Sequence, residues 1–406
     1  MISVYAGLVV LLLGIGVEAQ NPGTDSINSF SSKLLLDTLK NENGNFVVSP
    51  LSVSTLLAML EVGSQGETNQ QLKRTLEYPP HLARYGEQLY TAVIRDLKQR
   101  RGDSKNTLEF GSQMYIAKNL DLFQSYVDYL AQNFFTGAQK LDFQNGAATA
   151  KTINDWVSSA TRGKINNLVQ PASITKDSRL ILTNAIYFRG LWAKRFNENR
   201  TTVEDFLIDP NISGSRVHSA APSKMKKVHM MKQINRFVAG SDASLRAKWV
   251  HIPFDNNEFS MVLVMPTDED GINGLSRRLT KENVDRIINE KGFKNVVLGL
   301  PRFKISTDLP LVESLKRLGI RDIFSPSADL RKISNDRLFV NQILHKAQIE
   351  VNEEGSSAAA ASAVLVNTLS LINSDDLTFY ANQPFMFFLV KNNPAYTLFV
   401  GRVTEP

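Results

Sequence analysis

The apolar positions of this chain keep helical spacing through much of the first half and crowd into strand-like runs after it. Ile27, Phe30, Leu34 and Leu39 form the stripe of an amphipathic helix. Ser49-Pro50 opens a second helix, serine suiting the cap and proline the first turn, and Gly63 and Gly66 bound its end. Residues 83–100 and 121–135 carry two more helical patterns. Leu180–Phe188 is then almost continuously apolar, as in a strand buried on both faces. Phe259–Met265, Val296–Ile305, Phe385–Val390 and Tyr396–Val403 are rich in β-branched and aromatic residues and read as further strands.

Two stretches fit neither period. Residues 207–225 hold Pro210, Gly214 and Pro222 among serines and read as an exposed loop. Residues 355–378 begin with Gly355, Ser356, Ser357, Ala358, Ala359, Ala360, Ala361, Ser362 and Ala363, and contain no Pro, Lys or Arg. That composition suits an alanine-rich helix or a mobile tract small enough to enter a packed interior. No repeat and no Pro/Gly/Ser-rich linker divides the middle, so one large mixed α/β domain is expected.

Composition narrows the class. The chain has 406 residues, 43% hydrophobic and 21% charged, which supports a sizeable core and excludes wholesale disorder, collagen-like repeats and a multi-span membrane protein. With no cysteine there is no disulfide, thiolate nucleophile or Cys-ligated zinc. Residues 2–17 carry no charge, and Val17 and Ala19 stand at the −3 and −1 positions of a cleavage site. This stretch is short for a membrane span, so residues 1–19 are read as a signal peptide, although Met1-Ile2-Ser3 lacks the usual basic start. Removing it costs one charge, Glu18, and takes the net charge from +6 to +7 for a secreted 20–406 chain.

Catalytic constellations are missing. There is no Gly-x-Ser-x-Gly elbow, His-Glu-x-x-His, phosphate loop or dinucleotide fingerprint. His81, His218, His229, His251 and His345 are scattered without ligand spacing, so neither an enzyme nor a metal or cofactor is expected. Lys98, Arg100, Arg101 and Lys105 form one basic cluster, and Lys224, Lys226, Lys227 and Lys232 another. Neither interleaves aromatics for base stacking, so no nucleic-acid partner is expected and a solvated charged face is the plain reading. For the first cluster a sulfated glycosaminoglycan is the sharper alternative.

Five motifs in order then carry a resemblance. They are Asn45–Ser52, Ile153–Val157 with Thr161 and Gly163–Ile165, Asn184–Trp192 with Phe196 and Thr201, His345–Ala363, and Phe379–Phe385 with Leu398–Val403. Together they resemble the serpin family across essentially the whole chain after residue 19. The resemblance implies a single domain at 20–406 of about nine helices and three β-sheets, with an exposed reactive-centre loop at about 355–378. It also implies a trap: a target protease attacks the loop, and the freed loop enters the central sheet as an extra strand while the protease is still acylated.

This reading gives the small-residue tract a purpose. In an inserted strand Ser356, Ala358, Ala360 and Ser362 face the core and Ser357, Ala359, Ala361 and Ala363 face outward. Inward charge or proline would stall entry, and neither is present. The family pattern makes Glu353 and Glu354 part of the hinge, pairs Glu353 with Arg302 near Trp192 and Thr201 in the breach, and groups Ser49, Asn184 and His345 in the shutter. Fourteen residues after Gly355 stands Leu369, so the implied scissile bond is Leu369–Ser370, with Leu371 as the alternative.

No Lys or Arg lies between Lys346 and Lys391, which disfavours trypsin-like targets and points to a chymotrypsin-like or elastase-like serine protease. A papain-like cysteine protease stays open as a target class. A non-inhibitory carrier or chaperone of the same fold is the competing reading. The expected inhibitor is monomeric and not membrane-bound. Sequons at Asn211 and Asn199 predict N-glycosylation, and the Lys98–Lys105 cluster raises a heparin-like polyanion as accelerator.

Overall fold

A computed structural model describes residues 22–78, 86–99, 106–208, 224–309, 311–355 and 376–406. Among these are nine α-helices: α1 (Pro22–Asn41), α2 (Pro50–Gly63), α3 (Gly66–Leu76), α4 (Glu87–Gln99), α5 (Gln124–Phe134), α6 (Gly146–Ala160), α7 (Gly271–Arg278), α8 (Lys281–Ile288) and α9 (Leu311–Arg317). Fourteen strands accompany them: β1 (Phe46–Val48), β2 (Asn106–Ala117), β3 (Ala138–Leu141), β4 (Leu180–Gly190), β5 (Thr202–Ile208), β6 (Lys224–Asp242), β7 (Ala247–Pro253), β8 (Phe259–Pro266), β9 (Phe293–Pro301), β10 (Phe303–Asp308), β11 (Val340–Val351), β12 (Leu377–Tyr380), β13 (Phe385–Lys391) and β14 (Tyr396–Val403).

The strands build two hydrogen-bonded sheets. One has five strands in the order β10-β11-β4-β2-β3. The other has nine, β1-β14-β13-β8-β7-β6-β9-β12, with β5 also on β6. β6 is long enough at 19 residues to pair in succession with β5 along Lys224–Met230, β9 along Met230–Val238 and β7 along Val238–Asp242. The larger sheet therefore joins a buried part, β1-β14-β13-β8-β7, to a partial third sheet, β5-β6-β9-β12. The mixed α/β architecture expected from the sequence is the one observed.

Burial explains the central elements. Every residue of α2 except Val62 is buried, as expected of a helix that is apolar all round. Ser49 caps it by accepting the Ser52 N–H, and Pro50 occupies its first turn. The helix packs between β4 and β14, under the five-stranded sheet. β4 has α2 on one face and α6 on the other, so its continuous apolar run is what a doubly covered strand requires.

The sequence reading needs two adjustments. Val296–Ile305 is not one strand: β9 and β10 belong to different sheets and part at Arg302. β2, β6 and β11 escape the apolar-run criterion because each mixes buried positions with half-buried or, in β6, exposed ones along its length. The proposed signal peptide and the 209–223 part of the long loop lie outside the described residues.

Candidate functional site

The site is a seam between two parallel strands and the turn that closes its top. β11 and β4 pair in parallel from Val340↔Leu180 to Gln348↔Tyr187. There the pairing stops, although β11 runs on to Val351 and β4 to Gly190. Above the split the chain folds back over β4. Gly355 makes an antiparallel bridge to Leu191, the Trp192 N–H donates to the Glu354 carbonyl at 2.8 Å, and the Phe196 N–H to the Glu353 carbonyl at 2.9 Å. Trp192 Nε1 donates to the Asn352 carbonyl at 2.9 Å, and its indole stacks on Phe254 with ring centroids 4.4 Å apart.

Gly355 sits at φ +141°, and a Cβ there would lie 2.0 Å from the Gly190 carbonyl oxygen. Both the left-handed backbone and the clash with fixed main chain require glycine. The sequence marks this residue as the hinge, and the geometry supplies the reason for its identity.

Glu353, 3% exposed, anchors the top of the seam. Arg302 Nε lies 2.8 Å from both carboxylate oxygens, Arg302 Nη2 lies 2.7 Å from Oε1, and Thr201 Oγ1 donates to Oε1 at 2.5 Å. Burial alone would raise the Glu353 pKa, but the hydrogen bonds from Arg302 and Thr201 outweigh it and hold the carboxyl below its ordinary value. The expected Glu353–Arg302 pair and the nearby Thr201 and Trp192 are therefore in contact. Missing from the sequence reading were Asn352, Leu191 and Phe196 as backbone partners, because main-chain contacts leave no side-chain signature.

Midway down the seam lies a buried polar chain. His345 on β11 faces Asn184 on β4 across the ladder, with Nδ1 3.1 Å from the Asn184 side-chain oxygen. Its Nε2 accepts the Ser49 N–H at 3.1 Å. A backbone N–H can only donate, so the ring proton is on Nδ1 and donates to Asn184. Asn184 passes the chain on, its Nδ2 donating to the Gly111 carbonyl at 3.2 Å and to Ser112 Oγ at 3.1 Å. The Ser49 hydroxyl donates to the Leu398 carbonyl at 2.7 Å. Burial pushes the His345 pKa down to about 3, so the ring is neutral. Ser49, Asn184 and His345 thus form one network that ties α2, β4 and β11 together.

Other expected sites divide. Lys98 folds onto the protein, its Nζ 5.5 Å and 5.1 Å from the Phe110 and Phe135 ring centroids. Arg100, Arg101, Lys105, Asn211, Leu369, Ser370 and hinge residues Ser356 to Ser362 lie outside the described residues. Asn199 is exposed, two residues before the Thr201 hydroxyl that is engaged by Glu353. In the second basic cluster Lys226 pairs with Glu405, Lys227 with Asp205 and Lys232 with Glu204, which fits a solvated charged face. Among the described residues no group of three acidic or histidine side chains could hold a metal ion.

A family model described as Serpin (serine protease inhibitor) matches residues 25–406. The chain is a serpin. It is 32% identical over 377 residues to antichymotrypsin-2 of Bombyx mori, covering 92% of this chain and 96% of that protein. Human leukocyte elastase inhibitor is 31% identical over 396 residues, covering 94% of this chain and all of the relative. Among solved structures, Serpin48 of the insect Tenebrio molitor superposes with a TM-score of 0.81 at 26% identity, covering 96% of this chain and 100% of that one. In this serpin β4 and β11 form a parallel pair in the interior of the five-stranded sheet, flanked by the antiparallel pairs β10–β11 and β2–β4. The other parallel pair, β2–β3, lies at the sheet's outer edge.

Proposed function

We propose that this serpin is a secreted suicide-substrate inhibitor of a chymotrypsin-like or elastase-like serine protease. One observation carries the reading: Gly355 stands at the open top of a parallel seam, and the sequence that follows it, Ser356 to Leu369, contains neither charge nor proline. An incoming strand that follows Gly355 runs antiparallel to both β4 and β11. It exchanges one parallel ladder for two antiparallel ones, the slightly more stable pairing. Roughly ten added backbone hydrogen bonds at about 1 kcal/mol net each supply the driving force.

The chemistry is that of an interrupted hydrolysis. The protease serine attacks the Leu369 carbonyl, the Leu369–Ser370 bond breaks, and Ser370 leaves as a new amino terminus that takes the proton from the protease histidine. Leu369 stays esterified to the protease. Fourteen residues separate it from Gly355, so full insertion carries the protease about 46 Å at roughly 3.3 Å per residue. Secretion rests on residues 1–19, glycosylation on the two sequons, and acceleration by a heparin-like polyanion on the Lys98–Lys105 cluster.

Incubation of the 20–406 chain with chymotrypsin, elastase and trypsin, followed by denaturing gels and mass spectrometry, tests the reading. A band of summed mass with chymotrypsin or elastase, and cleavage after Leu369, is expected. Cleavage without that band in all three would make the loop a plain substrate and overturn the inhibitor reading. Equal inhibition rates with and without heparin would remove the polyanion.

A further inference from the structure

The five-stranded sheet has an unfilled corner. β2 spans Asn106–Ala117, but β3 pairs only with its last four residues, from Met114↔Ala138 to Ala117↔Leu141. Along Asn106–Gln113 the far edge of β2 has no neighbouring strand among the described residues. On that side Met114 donates its N–H to the Gly137 carbonyl at 3.3 Å, and the Ser112 carbonyl accepts the Thr136 hydroxyl. Backbone directions alternate along a strand, so Phe110 turns both its N–H and its C=O to this edge and Ser112 turns its N–H there. In front of the edge is a cleft of about 730 Å³. Phe135, Trp156 and Ala160 line it, with Glu109 and Arg162 among its walls. Gly111 keeps the strand close under α6, since a Cβ there would already be 3.1 Å from the Trp156 ring.

The edge selects the kind of occupant. A row of donor, acceptor and donor along an extended strand is complementary to another extended backbone, whereas a simple anion would leave the Phe110 carbonyl without a donor. Charge selects further. Arg162 holds the buried Glu109 at 2.6 Å yet stays 67% exposed, and a guanidinium has donors to spare beyond one such contact. Lys98 adds a second cation over the Phe110 and Phe135 rings at the same lip.

We propose that this cleft docks an extended acidic peptide, which adds to the free edge of β2 in line with β3 and sets acidic side chains against Arg162 and Lys98. Residues 109–113 offer about 16 Å of edge at roughly 3.3 Å per residue, room for four or five guest residues. The guest lies beside the strand whose Gly111 and Ser112 accept from Asn184, one strand away from the seam. The inference is independent of protease trapping.

The test titrates the full chain into fluorescein-labelled Val-Glu-Val-Asp-Val, capped at the carboxyl end, and follows anisotropy. The same peptide N-methylated at alternate residues serves as the backbone control. Gly137→Trp plugs the cleft: a Cβ at this lining residue meets nothing within 4 Å. Saturable one-to-one binding is expected, weakened at least about tenfold by N-methylation through the loss of about two hydrogen bonds, and by Gly137→Trp. Raising salt from 150 to 500 mM weakens it several-fold further. No saturable binding overturns the proposal. So does binding indifferent to N-methylation, which would reduce it to general attraction by a basic surface. The N-methylated peptide needs no variant and keeps the test decisive if Gly137→Trp does not fold.

Discussion

Arg302→Ala is the sharpest perturbation of the closed seam. It strips Glu353 of its guanidinium partner and leaves a carboxylate that is 3% exposed with Thr201 as its remaining side-chain donor. Removing one member of a fully buried pair costs about 3–5 kcal/mol. The Arg302 side chain is 43% exposed, however, so water can reach the vacated place and the cost falls toward about 2 kcal/mol. For a chain of this length that is a fall in melting temperature of about 2–3 °C. Thr201→Val removes one hydrogen bond to the same carboxylate and costs about 1–2 kcal/mol. Because both partners bind Glu353, their effects are not additive, and a double-mutant cycle by urea unfolding should give a coupling of about 0.5 kcal/mol or more. The opening of the seam should also ease, so loop-inserted, inactive protein should accumulate faster on warming. Additive effects below about 0.5 kcal/mol each would refute the view that Glu353 holds the seam shut.

Three further outcomes follow from the same geometry. Gly355→Ala forces a side chain into left-handed backbone and against the Gly190 carbonyl, so the hinge turn should be lost; faster proteolytic nicking at 352–356 and a higher ratio of inhibitor consumed per protease trapped would report it. Mild acid should destabilise the fold, because burial lowers the pKa of His345 to about 3 and of His251 to about 4 while the unfolded chain titrates near 6.5. Their contribution is complete above pH 6.5 and is lost as pH falls toward those folded values, about 1.4 kcal/mol each by pH 5.5, and His345→Gln should flatten the urea-midpoint profile in that window. Arg402→Met should cost about 2–3 kcal/mol in the same unfolding assay, since the buried guanidinium donates to the Glu42 and Gly44 carbonyls that a thioether cannot satisfy.

Much of this molecule is local and therefore legible in its sequence. Leu180–Phe188 reads as a strand covered on both faces because its positions are largely apolar, Thr183 and Asn184 aside, and β4 is such a strand. Ser49-Pro50 starts α2 through contacts within four residues. The hinge tract is recognisable by what it lacks. Tertiary structure alone decided that β4 and β11, more than 150 residues apart in the chain, are parallel neighbours, that their ladder ends at Gln348↔Tyr187, and that Val296–Ile305 breaks at Arg302 so that this residue can reach Glu353. It also decided the tautomer of His345, the edge of β2 that no strand among the described residues covers, and the clash that reserves position 355 for glycine. The physical reason is common to all of these: side-chain pattern records which face of a segment is buried, whereas register, strand order and main-chain partners depend on segments that meet only after the chain has folded.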